Sequence, residues 1–256
     1  MPALPHLASP LLAAAGPVRH GFYGRRGGVS SGVFASLNCS RWCGDAGISV
    51  DANLGRVAAD LGGVRIFTNR QVHGRRVREI AAADPGEVFE GDGLVTREVG
   101  LGLGVLGADC APVLFADPVN GVIGAAHAGW RGALAGVTDA VIAEMARLGA
   151  RPQRMICAIG PAIQLDSYRV GARWAGRFRA GSPFPCDGCF RSNAAGDICH
   201  FDLPGYLRMR IARAGVGAID TLADDTFADP AQFFSHRRTH RGDAGCGRQI
   251  SVIALR

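Results

Sequence analysis

A single α+β domain, with mixed β-sheets flanked by helices, is the fold class that this sequence predicts, and three observations predict it. The 256 residues, 48% hydrophobic but only 7% aromatic, suit one core built from Ala, Val, Leu and Ile. Short apolar runs bounded by Gly, Asp and Asn are mixed irregularly with segments of helical period, without the strict βαβ alternation of a doubly wound sheet. Polar residues with ligand chemistry, His73, Cys110 and His127, stand at the ends of apolar stretches, where strand ends place a site. No internal repeat, low-complexity run or Pro/Ser-rich linker divides the chain, so residues 1–256 are expected to form one domain.

The elements follow in order. Val50 to Leu61 carries Leu54, Val57, Ala58 and Leu61 at helical spacing and stops at Gly62-Gly63. Val64 to Phe67 reads as a strand, as do Leu101 to Leu106, Pro112 to Phe115 and Val122 to Ala126. The clearest helix runs from about Gly132 to Leu148, with Leu134, Val137, Val141, Met145 and Leu148 on one face and Gly149 closing it. Met155 to Ile159 is a strand ended by Gly160-Pro161. Helices are expected around Tyr168 to Phe178 and Pro204 to Ala214, and a last strand over Ile250 to Leu255. Residues 182–200, rich in Pro and Gly, read as a surface excursion.

Composition excludes several function classes. All 28 basic residues are arginine, and they are scattered. The densest run, Arg237-Arg238-Thr239-His240-Arg241, is too short for a nucleic-acid face despite the net charge of +6. Single arginines gripping phosphate or carboxylate fit better. No apolar segment approaches the roughly 18–20 residues that span a bilayer, and Met1 to Leu7 lacks the character of a signal peptide. A cytoplasmic enzyme is expected, whose eight cysteines are thiols or metal ligands.

Two imidazoles and a thiolate suit zinc or copper, and three protein ligands leave a coordination position open, as catalytic zinc sites do. Singly, each residue has an ordinary reading, since a cysteine beside a strand is usually a small buried hydrophobe. Context favours the site. Asp109 places a charge beside Cys110 at the mouth of an apolar run, and His127 ends a strand just before Ala128-Gly129-Trp130-Arg131-Gly132 opens a helix. That helix entry, with Arg131, suits an anion. The Gly-rich run Gly24 to Gly32, which holds Arg25, reads as an anion-contacting loop or a hairpin turn. Cys186-x-x-Cys189 with Cys199-His200 offers four donors for a zinc knuckle, although the short gap and the adjacent Cys-His pair suit one tetrahedral ion poorly.

Together these segments resemble a known family. They are His20-Gly21-Phe22, Arg25-x-Gly27-Gly28-Val29-Ser30, Ser36-Leu37-Asn38, Gln71-Val72-His73-Gly74, Ala108-Asp109-Cys110-x-Pro112, Ala126 to Gly132, Ile159-Gly160-Pro161, Phe233-Phe234-Ser235-x-Arg237-Arg238 and Gly247-Arg248-Gln249. From about residue 18 to 256 the chain resembles the laccase-domain or polyphenol-oxidase-like family, whose bacterial members are also named purine nucleoside phosphorylases and peptidoglycan-editing factors. The resemblance implies zinc on His73, Cys110 and His127. It also implies phosphorolysis of adenosine, inosine, guanosine and methylthioadenosine, with adenosine deamination as a side activity. On that reading purine nucleosides and phosphate are the partners. Arg131, Arg25 and Arg248 are candidates for phosphate, Asn38 and Gln71 for base or sugar, and Asp109 for orienting or proton transfer. One departure is Asp225-Thr226, where many members have Cys-Thr. A multicopper oxidase needs His-x-His pairs for its trinuclear centre, and none occurs among the seven histidines, so copper-dependent polyphenol oxidation is disfavoured. The enzymatic rival is a metal-free hydrolase with Cys110 as nucleophile, His127 as base and Asp109 nearby, suited to an amide in a cell-wall precursor. A third class is a binding or scaffold protein with a structural metal.

Overall fold

Successive residues of a strand face opposite sides, and here the two sides pack against different partners. The computed structural model describes residues 4–239 and 245–256. Five strands form the first sheet, in the order β1 (His6–Leu7), β2 (Val18–Tyr23), β14 (Gln249–Leu255), β6 (Leu101–Gly107) and β3 (Arg65–Thr68). Six form the second: β13 (Ala218–Thr221), β9 (Ile156–Ile159), β7 (Ala111–Asp117), β8 (Val122–Ala128), β5 (Gly93–Thr96) and β4 (Val77–Glu79). Both are mixed: β3–β6, β13–β9 and β4–β5 pair parallel, the other neighbours antiparallel.

Leu114 and Ala116 of β7 and Ile123 and Ala125 of β8 meet Leu103 and Val105 of β6 and Ile253 of β14 between the two sheets. Their chain neighbours Val113, Phe115, Val122 and Ala126 point the other way. They pack under helices α4 (Val137–Arg147) and α6 (Leu203–Arg213) through Val141, Met145, Tyr206 and Ile211. On the far side Val252 and Ala254 pack with Val57 of α2 (Gly47–Asp60). The result is a layered helix–sheet–sheet–helix arrangement. Full burial of each such aliphatic or aromatic side chain contributes about 1.5–3 kcal/mol.

Two helices differ from the sequence reading. The helix expected from Gly132 to Leu148 is broken at Gly136, whose φ of 88° ends α3 (Trp130–Ala135) before α4 begins. A Cβ there would lie 2.5 Å from the Arg210 guanidinium, which instead packs on the bare glycine and pairs with Asp139. The helix expected from Tyr168 starts later, as α5 (Ala172–Gly181), because β10 (Arg169–Gly171) pairs with β12 (Ile198–Phe201). With β11 (Phe190–Ser192) these strands form a third, small sheet. Within 182–200, residues 191–197 are exposed as a surface excursion requires, but Cys186 and Cys189 turn inward and join the core beneath α6.

The short helices α1 (Pro10–Ala13) and α7 (His236–Thr239) complete the set among the described residues. His240 and Arg241 of the basic run lie outside the described residues, as do Met1 to Ala3. Among the described residues no helix is long and apolar enough to cross a membrane.

Candidate metal centre

Strand register brings the three donors together. In the β7–β8 pair Pro112 faces His127 and Ala111 faces Ala128. Cys110, one residue before β7, therefore lies beside the end of β8. His73 arrives from the segment between β3 and β4. The ligand atoms of His73, Cys110 and His127 all lie within 4.8 Å of one another, with Cys110 Sγ 3.9 Å from His73 Nε2. Among the described residues this is the single group of three or more His, Cys, Asp and Glu side chains placed to share an ion. The other donor group in the sequence, Cys186, Cys189, Cys199 and His200, which its spacing already suited poorly to one ion, is not among them: its three cysteines are buried, and His200 Nδ1 lies 3.0 Å from the Leu165 carbonyl.

Two strained turns aim the ligands. His73 has a φ of 59° and Asp109 a φ of 90°, in the region that side chains other than glycine seldom enter. Asp92 stabilises the first turn. It is 1% exposed and accepts hydrogen bonds from the backbone N–H groups of Val72 (3.2 Å), His73 (2.9 Å) and Gly74 (2.7 Å). The same carboxylate accepts from His127 Nδ1 at 2.9 Å. One acid thus sets the backbone of one ligand and the tautomer of another, leaving His127 Nε2 as the donor atom. This is the carboxylate–histidine arrangement that accompanies metal sites.

Asp109 stabilises the second turn. Its carboxylate accepts from Thr226 Oγ1 (2.8 Å), Ser235 Oγ (2.9 Å) and the Arg237 N–H (2.6 Å). It therefore ties the β7 mouth to the C-terminal segment. Gly129 keeps the centre of the cluster open, for a Cβ there would lie 2.8 Å from Cys110 Sγ and 3.0 Å from His73 Cδ2.

The electrostatics match the geometry. Burial alone would raise the Cys110 pKa, but His127 and His73 outweigh it and push the thiol down toward thiolate. Burial would lower the His127 pKa, and Cys110 and Asp92 instead raise it. Burial likewise opposes ionisation of Asp92, yet its bonds to His127, Gly74 and His73 hold it below the usual carboxylate range. A thiolate with two imidazoles is a donor set for zinc or copper. The residues fit such an ion.

The cluster opens into a cavity of about 930 Å³, within the range of small-molecule sites. Its wall includes Trp42, Arg70, Gln71, His236 and Arg248. Of the substrate-contact candidates, Gln71 and Arg248 line it. Gln71 is braced by Nε2 to the Leu106 carbonyl and by the Leu106 N–H to Oε1, both 2.7 Å. Arg248 is braced by Nη1 to the Cys246 and Gly247 carbonyls. Asn38 is fully buried and accepts from the Arg248 N–H. Arg25 and Arg131 are not on this wall. Arg25 donates to the carbonyls of Ala35 and Pro230 and lies over Phe234, and Arg131 lies over the Trp130 ring. The Gly24–Gly32 run is thus pinned by its own chain. Asp92 escaped the sequence reading, although Gly91-Asp92-Gly93 before Leu94-Val95 repeats the signal that marked Asp109, a charge at the mouth of an apolar strand.

Comparison with known proteins agrees with the fold. Residues 19–256 match the family model described as multi-copper polyphenol oxidoreductase laccase. The purine nucleoside phosphorylase of Deinococcus radiodurans is 41% identical, over 99% of this chain and 94% of that protein. YlmD from Geobacillus stearothermophilus superposes with a TM-score of 0.87 at 32% identity, covering 97% of this chain and 94% of that one. The Neisseria meningitidis protein NMB0706 gives a TM-score of 0.84 at 32% identity, over 94% and 95% of the two chains.

Proposed function

From the premise that this chain belongs to the multi-copper polyphenol oxidoreductase laccase family, we propose that it is a zinc-dependent purine nucleoside phosphorylase. The observation that carries the reading is the His73–Cys110–His127 cluster at the edge of a cavity wide enough for two substrates. The name carried by the D. radiodurans relative supports it. Adenosine, inosine, guanosine and methylthioadenosine are the proposed nucleosides.

Zinc held by these three side chains would supply Lewis-acid chemistry to the substrate. The chain's own residues do the rest. Asp92 holds the His127 ring and the His73 backbone, so the donors are preorganised. Arg248 and Arg70 line the cavity and are the proposed phosphate contacts, Arg70 from an exposed ion pair with Glu90. A phosphate oxygen attacks C1′ of the ribose and the C1′–N9 bond breaks, its electron pair passing to the purine. His236, on the same wall, is the acid proposed to protonate the departing base. The same cavity is proposed to deaminate adenosine as a side activity, water replacing the C6 amino group.

The direct test incubates the metal-loaded protein with inosine, with and without phosphate. Hypoxanthine together with ribose 1-phosphate, formed only when phosphate is present, is the expected result. Release independent of phosphate, or none, would overturn the reading.

One observation favours a second reading. His127 lies between Cys110 and Asp92, joined to Asp92 through Nδ1 and close to the thiol on its other side. That is also the order of a nucleophile, its base and the group that orients the base. On this reading the Cys110 thiolate attacks an amide carbonyl of a cell-wall precursor, the C–N bond breaks as His127 protonates the departing amine, and water hydrolyses the resulting thioester. Amide hydrolysis that survives chelators but not iodoacetamide would select it.

A further inference from the structure

The three tryptophans of this chain have unlike surroundings. Trp130 and Trp174 meet edge to face at 5.3 Å, and Trp174 continues into Phe178, Phe190 and Phe201. Trp42 is 44% exposed and lies on the wall of the metal-site cavity. Among the described residues its ring has no aromatic or cationic neighbour, and its indole N–H donates to no acceptor. An indole left this way exposes a large apolar face to water, an unfavourable arrangement unless something covers it.

The backbone beneath that ring is held firmly. Asn38, fully buried, donates through Nδ2 to the Ser40 carbonyl and to Asp45 Oδ2 (2.9 Å), and through Oδ1 it accepts from the Ser40 and Arg248 N–H groups. Ser40 Oγ accepts from the Trp42 N–H at 3.2 Å, and Cys43 Sγ donates to the Ser40 carbonyl. A rigid turn therefore presents a flat π face with only two side-chain torsions left to fix. Arg70, Gln71 and Arg248 share its cavity. A flat, heteroaromatic ligand attached to a polar, anionic or hydroxylated body matches this combination of face and charge.

We propose that Trp42 is the platform on which the purine base stacks, and that it is a specificity-determining residue of the phosphorylase reading on which this inference rests. Base stacking on an aromatic side chain tolerates any base face and strengthens with ring area, so the platform favours purines over pyrimidines. Asn38 then serves the substrate indirectly, by holding the turn that carries Trp42.

The test titrates the metal-loaded protein with inosine while tryptophan emission and calorimetric heat are followed, in wild type, Trp42→Phe and Trp42→Ala. Wild-type emission should be quenched. Trp42→Phe should bind inosine without that quenching. Trp42→Ala should raise the KM for inosine about 10-fold or more, leave kcat within about 2-fold and leave the KM for phosphate unchanged, with Trp42→Phe restoring most of the loss. Quenching that persists in Trp42→Phe, or an unchanged KM in Trp42→Ala, would overturn the stacking role while the phosphorylase reading stands. Absence of any inosine heat in the wild type would instead overturn that reading, and this inference with it.

Discussion

The chain places cysteine and histidine close together in two regions, and the two behave in opposite ways. At the strand ends, Cys110 is partly exposed and surrounded by His73, His127 and the Asp92 carboxylate behind them. In the segment 186–200, Cys186, Cys189 and Cys199 are each 2% exposed, beside an aromatic cluster of Phe178, Phe190 and Phe201. Burial pushes the Cys189 thiol up to about 12, with Asp202 and Cys186 adding to the rise. Near Cys110 the cost of desolvation is outweighed by two imidazoles. Ligand residue types alone therefore do not make a metal centre. A site needs an oriented partner charge and a backbone that turns its donors toward one point.

The sharpest way to break this comparison is Cys110→Ala set against Cys189→Ala. Cys110→Ala should abolish metal binding and lower kcat/KM for inosine by more than the roughly 10- to 100-fold expected when only an outer partner is lost. Metal content by plasma emission spectrometry and phosphorolysis rates check both. Asp92→Asn comes next. It keeps a side chain of the same shape but removes the charge, and should weaken metal affinity or activity by about 10- to 100-fold, measured by competition with a chromogenic chelator. Cys189→Ala should leave metal content and rate unchanged and lower stability by about 1 kcal/mol in urea denaturation, as a small core truncation does. Iodoacetamide should sharpen the contrast further, labelling Cys110 in the native apo protein before Cys186, Cys189 or Cys199.

The smallest effect at neutral pH concerns a buried histidine outside both regions. Burial, reinforced by His6, lowers the His20 pKa to about 4, and His20 Nε2 accepts from the Ser9 N–H at 2.8 Å. A native pKa below the unfolded value of about 6.5 makes the neutral form the folded one. Its contribution is complete above pH 6.5 and is lost as pH falls toward 4. Urea midpoints measured across that window should fall with pH, and His20→Gln should flatten this part of the profile.

Much of the fold was legible because it is written in period and in glycine. The runs over 101–106, 112–115 and 122–126 alternate between two apolar environments, and the structure finds strands at all three. Strand β2 was not legible, because Arg19, His20 and Gly21 interrupt its apolar character, yet Val18 and Phe22 reach the core between the sheets. The break at Gly136 was hidden because its reason, Arg210, lies 74 positions along the chain. The donors His73, Cys110 and His127 could be read from their place at strand ends. Their substrate partners could not be. Asn38 and Arg25 sit in motifs like the others, but their polar atoms are engaged by Ser40, Asp45, Ala35 and Pro230. Only the packing of segments far apart in sequence decides which polar side chains face a cavity and which serve as braces.

The measurement closest to the central claim is X-ray absorption at the metal edge of the purified protein. The account expects about one zinc per chain, with one sulfur at about 2.3 Å and two imidazole nitrogens at about 2.0–2.1 Å, plus a light atom in the fourth position. Two or more sulfur ligands would move the metal to the 186–200 segment. A protein that takes up no zinc would contradict the centre altogether.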